Sequence, residues 1–158
     1  MKRLFISIFV SLLFCTSLFA QKKMSIFDFY YINDNKKYKL GDSLMDFDVE
    51  CNIKETKIIT IGYSEYRVFD YNWGKIYTSV KSDNNTIFGI EINKNEGAIK
   101  GGVMVGSKKE FVINNLGYPY YIKDNSFYYY NDDFDVLELR ISFNENNIIN
   151  EISFFMGT

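Results

Sequence analysis

The sequence predicts an α+β fold of antiparallel β-meanders, each preceded by a short helix, in two tandem repeats. Three observations carry that expectation. They are a two-residue alternation near the C-terminus, a helix whose start and stop are both written in the sequence, and an earlier echo of the same order.

Leu137, Leu139, Ile141 and Phe143 alternate with Glu138, Arg140 and Ser142, the period of a half-buried strand. Asn144-Glu145-Asn146-Asn147 reads as a turn, and residues 148–155 return as a second strand. Residues 127–130 precede them as a third, joined through Asn131-Asp132-Asp133, so the three form an antiparallel meander. Abundant Ile, Val, Phe and Tyr with a single proline suit sheet, and Asn, Asp and Gly supply the turns.

Ahead of the meander, Ser107 and Glu110 have the spacing of a capping box, in which the hydroxyl takes a free backbone N–H and the glutamate reaches back. Phe111, Val112 and Leu116 supply an apolar face, Gly117 suits the left-handed residue that ends a helix, and Pro119 stops its resumption. A helix over 107–116 is expected.

The N-terminal half echoes this scheme. Leu40-Gly41-Asp42-Ser43 resembles Val105-Gly106-Ser107, with Ser43 and Asp46 as a cap before a brief helix holding Leu44 and Phe47. Gly62-Tyr63-Ser64 echoes Gly117-Tyr118-Pro119, and Ser82-Asp83-Asn84-Asn85 echoes the turn at 144–147. The expected division is an N-terminal segment at 21–39, a first repeat at 40–92, a connector at 93–104 and a second repeat at 105–158. Within the first of these, residues 26–32 are dense in aromatics and suit a strand or a helical turn.

Residues 1–20 read as a cleavable signal peptide. Lys2 and Arg3 form the positive start, residues 4–14 the apolar run, and Ser17-Leu18-Phe19-Ala20 the cleavage region, so the mature chain is expected to begin near Gln21. The run is too short for a membrane anchor, which needs about 20 apolar residues. Phe14 directly before Cys15 departs from a lipid-attachment site, so an unlipidated periplasmic or secreted product is expected. Cleavage removes two of the 18 basic residues and none of the 20 acidic ones, leaving a net charge of −4. That balance argues against nucleic acid as a partner. Cys51 is the one cysteine left, so no intrachain disulfide is expected, and it reads as a small buried hydrophobe.

The chain has no histidine, which removes His-based triads and His-ligated metal sites. Gly101-Gly102 lacks the spacing of a phosphate loop. Asp46, Asp48 and Glu50 have the opening spacing of a calcium loop, but Cys51 and Lys57 stand where it needs Gly and Glu. Asn131, Asp133 and Asp135 fail in the same way, at Val136 and Ser142. No catalytic residue, metal or cofactor is expected.

Tyrosine is the unusual feature, with 13 in the chain, clustered at Tyr118, Tyr120 and Tyr121 and again at Tyr128, Tyr129 and Tyr130. Neighbouring strand residues point to opposite faces, so at least one of the last three points outward. Exposed aromatics bury much area at low entropic cost. Tyr118, Tyr120, Tyr128, Tyr129 and Tyr130 are the candidate binding residues, against the alternative that tyrosine simply suits a pleated surface.

Val105-Gly106-Ser107, Leu116-Gly117-Tyr118-Pro119, Tyr128-Tyr129-Tyr130 and the hairpin over 137–152 follow in the order of a module of small exported bacterial proteins. In these steps the chain resembles the β-lactamase-inhibitor-protein fold, shared with the small outer-membrane assembly lipoproteins. The likeness covers about 50 residues well and about 50 more weakly, and implies fold alone. It departs in lacking the lipoproteins' anchor cysteine and the inhibitor's stapling cysteines. The function expected is that of an exported, non-catalytic binding or envelope protein with a protein or cell-envelope partner. The alternative is a small exported hydrolase using carboxylates or serine.

Overall fold

The structure, a computed structural model, describes residues 30–33, 35–44, 53–81, 83–131 and 137–156. The signal-peptide reading, Cys51 and the acidic set Asp46, Asp48 and Glu50 lie outside them, as do Asp133 and Asp135.

Two strands come first, β1 (Tyr30–Asn33) and β2 (Lys36–Lys39), paired as a hairpin through Asn35, whose φ is 62°. The next four form an antiparallel meander: β3 (Glu55–Ile61), β4 (Ser64–Asp70), β5 (Gly74–Ser79) and β6 (Ile87–Ile92). Helix α1 (Lys109–Leu116) follows, then a second meander of β7 (Tyr121–Lys123), β8 (Ser126–Tyr130), β9 (Leu137–Phe143) and β10 (Ile149–Met156). The two meanders join edge to edge into one eight-stranded sheet, in the order β3-β4-β5-β6-β10-β9-β8-β7. The seam is β6 against β10, with Ile152 opposite Ile92 and Phe154 opposite Ile90.

This corrects the α+β expectation. The protein is mostly β, and among the described residues α1 is the only α-helix, with none ahead of the first meander. The reasons lie in how the first half uses its polar groups. Ser43 pairs its backbone with Thr86 as an isolated bridge, and its hydroxyl donates to the Asn84 carbonyl (2.8 Å). Gly41 N–H donates to the Ile87 carbonyl and Ile87 N–H to that of Asp42, so this stretch runs beside β6. The remainder of the brief helix once expected there, through Phe47, lies outside the described residues. Gly62-Tyr63, matched to a helix end in the sequence, is the two-residue turn of the β3–β4 hairpin, with Ile61 paired to Ser64.

The second half follows its alternation closely. Leu137, Leu139, Ile141 and Phe143 are buried while Glu138, Arg140 and Ser142 are half-buried on the other face. Asn144 shapes the next turn, its Oδ1 accepting from the N–H groups of Asn146 and Ile148. One core runs under both meanders, holding Ile76, Ile90, Val112, Leu116, Leu139 and Ile152. Each such side chain contributes about 1.5–3 kcal/mol relative to leaving it in water.

Helix α1 departs from its expected start. Its N-cap is Lys108, without a side-chain cap bond, and Ser107 Oγ instead accepts from the Met104 N–H at 3.3 Å. The capping box is therefore not formed, and Phe111, assigned to the apolar face, is 42% exposed. Ser107→Ala is accordingly expected to change stability by no more than about 0.5 kcal/mol. The stop is as read: Gly117 has φ 86° and its N–H donates to the Ile113 carbonyl. Gly117→Val forces a β-branched residue into that region and is expected to cost about 1–3 kcal/mol. Urea unfolding of both variants checks the contrast between start and stop.

Candidate functional site: the outward face of the sheet

The core lies on the side of the sheet that carries α1 and the β1–β2 hairpin. Residues directly opposite one another on neighbouring strands share a face, so the pairing registers read off the other side as rows. One row crosses Lys57, Val68, Tyr77, Gly89, Phe155, Glu138 and Tyr130. The next crosses Glu55, Asp70, Lys75, Glu91, Ser153, Arg140 and Tyr128. The first is largely aromatic and apolar, the second largely charged, with two acids at its β3–β4 end.

At the β7 end the face becomes a tyrosine cluster. Pro119 follows the helix stop, Tyr120 N–H donates to the Tyr128 carbonyl (2.7 Å), and the chain then pairs as β7 with Tyr121 opposite Tyr128. The β7–β8 turn is Asp124-Asn125, with φ of 47° and 55°, the doubly positive geometry of a tight hairpin turn. The Tyr121 and Tyr128 rings stack at 4.3 Å and 10°. Tyr130 lies 5.8 Å from Tyr121 and 5.5 Å, edge-on, from Tyr120. The Tyr130 hydroxyl donates to Glu138 Oε2 (2.7 Å) and meets the Tyr121 hydroxyl at 3.0 Å; with its own proton committed, it accepts from Tyr121.

Of the candidate residues, the structure brings Tyr120, Tyr128 and Tyr130 together, with Tyr120 the most exposed at 63%. Tyr118 is exposed just after the helix stop. Tyr129 is on the wrong face: it is 3% exposed, beside Phe127 in the core, and its hydroxyl donates to the Gly117 carbonyl (3.0 Å). Strand alternation places it there, because Tyr128 and Tyr130 face outward.

Sequence reasoning placed Tyr121 in the tyrosine-rich stretch but left it out of the candidate residues, and it missed Glu138. The signal for Tyr121 was the Asp124-Asn125 turn, which fixes the register that stacks it on Tyr128. A second aromatic group was missed too, because it is dispersed in sequence. Tyr66 and Phe88 lie 4.7 Å apart, and Tyr77 and Phe155 5.1 Å apart. Gly89 makes room for it, since a Cβ there would stand 2.1 Å from the Phe155 ring.

The charges between the two aromatic groups are mutually satisfied. Glu91 accepts from Lys75 (3.0 Å) and from the Tyr77 hydroxyl (2.9 Å), and Arg140 pairs with Glu151. The bond to Glu91 is the main influence holding Lys75 above its usual pKa. Three carboxylates of this face, Glu91, Glu138 and Glu151, are thus held by donors, a poor arrangement for proton transfer to a substrate. Among the described residues no group of three His, Cys, Asp or Glu side chains could hold a metal ion.

Burial pushes the Tyr71, Tyr77, Tyr129 and Tyr130 hydroxyls above the ordinary tyrosine value. Tyr38 adds to the effect at Tyr71, Glu91 at Tyr77, and the hydrogen bonds of Tyr121 and Glu138 at Tyr130. The folded state therefore keeps protons that the unfolded chain releases from about pH 10. Their stabilisation is complete below that pH and is lost as pH rises toward the folded values. Unfolding free energy from urea titrations is expected to be level between about pH 8 and 9.5 and to fall above about pH 10, less steeply in Tyr129→Phe.

These features define a mostly β protein with an aromatic sheet face. Among the described residues no helix is long and apolar enough to cross a membrane. No family model, no curated protein and no solved structure matches the chain.

Proposed function

We propose that this chain is an exported, non-catalytic binding protein that holds a protein or cell-envelope partner against the outward face of its sheet. The observation that carries the reading is the tyrosine cluster, in which Tyr120 is largely exposed while Tyr121, Tyr128 and Tyr130 support it by stacking and hydrogen bonds. A rigid aromatic anchor loses little entropy on binding, and pre-stacked neighbours reduce that loss further. The rings stack on and meet edge-on with one another, which suits the mixed surface of a protein more than the flat face of a sugar.

Export rests on residues 1–20, with periplasmic or secreted product and no lipid at Cys15. The resemblance to the inhibitor-protein fold rests on the sequence of the second half, on Leu116-Gly117-Tyr118-Pro119 and the hairpin over 137–152. One experiment addresses both halves of the proposal. Protein recovered from the exported fraction is mapped at its N-terminus by mass spectrometry, then used to retain envelope components. A start near Gln21 and a partner retained by the wild type, but not by Tyr120→Ala, support the reading. A diacylated Cys15, or equal retention by both proteins, overturns it.

A further inference from the structure

The two edges of the eight-stranded sheet are finished differently. β7 is three residues long and ends in Lys123, and brevity and lysine are common protections of a sheet edge. β3 runs seven residues in unbroken register with β4, with no proline or glycine inside it. Glu55, Thr56, Lys57, Ile58 and Thr60 are all exposed, Ile58 by 59%, and Tyr63 at the hairpin tip is fully exposed. Among the described residues β3 pairs with β4 alone.

The direction of the free backbone groups follows from the next strand pair. Val80 N–H donates to the Glu65 carbonyl and Tyr71 N–H to that of Gly74, so odd-numbered β4 residues bond toward β5. Even-numbered β4 residues then bond toward β3, to Glu55, Lys57 and Ile59. The N–H and C=O groups of Thr56, Ile58 and Thr60 therefore point away from the sheet. Those three residues read Thr-Ile-Thr in either direction.

From this palindrome we infer that β3 is a pairing edge for a second copy of the chain, the two β3 strands meeting antiparallel about a two-fold axis at Ile58. Ile58 then lies opposite itself, Thr56 opposite Thr60, and all six outward backbone groups of each copy are bonded. Lys57 lies opposite Ile59, so no like charges are directly opposed. Tyr63 falls opposite Ile53 of the second copy. A foreign strand could use the same edge, but the symmetry of the outward residues is what pairing with an identical strand requires. One strand edge buries less than the roughly 1,200 Å² of an ordinary specific interface, so the association is weak and concentration-dependent. The inference is independent of the tyrosine face, which lies at the opposite edge. A two-fold axis perpendicular to the sheet would leave both tyrosine clusters on one side, at the far ends of a joined sheet.

Sedimentation velocity on the purified protein from about 1 to 500 μM, spanning weak association, tests the inference. Wild type is expected to move from monomer to dimer across this range. Ile58→Lys opposes two ammonium groups on the axis and is expected to weaken dimerisation at least about tenfold. Ile58→Pro removes an outward N–H while leaving the β3–β4 bonds in place, and should do the same. Circular dichroism identifies any variant that fails to fold, and Ile58→Lys, at an exposed position, then carries the test. A wild type that stays monomeric to the highest concentration overturns the inference, as does a folded Ile58→Lys that dimerises like wild type.

Discussion

Gly74→Ala is expected to cost about 3 kcal/mol or more, a large share of the stability of a domain this size. A Cβ at this position would stand 1.9 Å from the Glu91 carbonyl oxygen, 2.9 Å from its carbon and 3.0 Å from Ile92 Cα. All three are backbone atoms, so no side chain can turn aside. The β6 backbone itself must retreat, and β6 is the strand on which the two meanders join. Gly89→Ala makes a useful contrast. Its new methyl meets the ring of Phe155, which is half-buried and can swing outward, so a smaller loss of about 1–2 kcal/mol is expected. Adding Phe155→Ala to Gly89→Ala should relieve the clash, whereas no single side-chain truncation should rescue Gly74→Ala. Urea midpoints measured by circular dichroism distinguish these outcomes.

The second large effect concerns binding. Tyr120→Ala is expected to weaken partner affinity by about 2 kcal/mol or more, roughly thirtyfold, as truncation of a central aromatic anchor does. Folding stability should change by no more than about 0.5 kcal/mol, because the ring is largely exposed. Tyr130→Phe offers a finer comparison. It keeps the ring while removing the hydroxyl that joins Glu138 to Tyr121. A moderate loss of affinity is expected there, from a cluster less firmly held, and surface plasmon resonance on both variants measures the difference. Unchanged affinity in Tyr120→Ala would remove that ring from the contact surface.

Much of the second half was legible because its signals are local. The alternation from Leu137 to Phe143 needs only the chain's own neighbours, and Gly117 with Pro119 ends a helix wherever it occurs. The misreadings concern which partner a polar group takes. Ser107 looked like a cap, yet its oxygen takes the N–H of Met104, three residues back, and the Ser43 hydroxyl donates to Asn84, 41 residues away. A serine before an apolar run states what it could bond, and competing backbone groups, near or far, decide what it does bond. The candidate site divides similarly. That Tyr128, Tyr129 and Tyr130 could not all share a face followed from the strand period, but which members pointed out depended on the side covered by α1. The Tyr66, Phe88, Tyr77 and Phe155 group was illegible for another reason. It is assembled by registers across four strands, among them the seam pairing of Phe155 with Gly89.

The central claim is that the outward sheet face, and not the helix side, is where a partner is held. Hydrogen exchange of the protein alone and with the partner it retains tests this most directly. The account expects slowed exchange over residues 120–130 and 137–143, with the amides of α1 unchanged. Protection concentrated on residues 109–116, with none over 120–130, would contradict it.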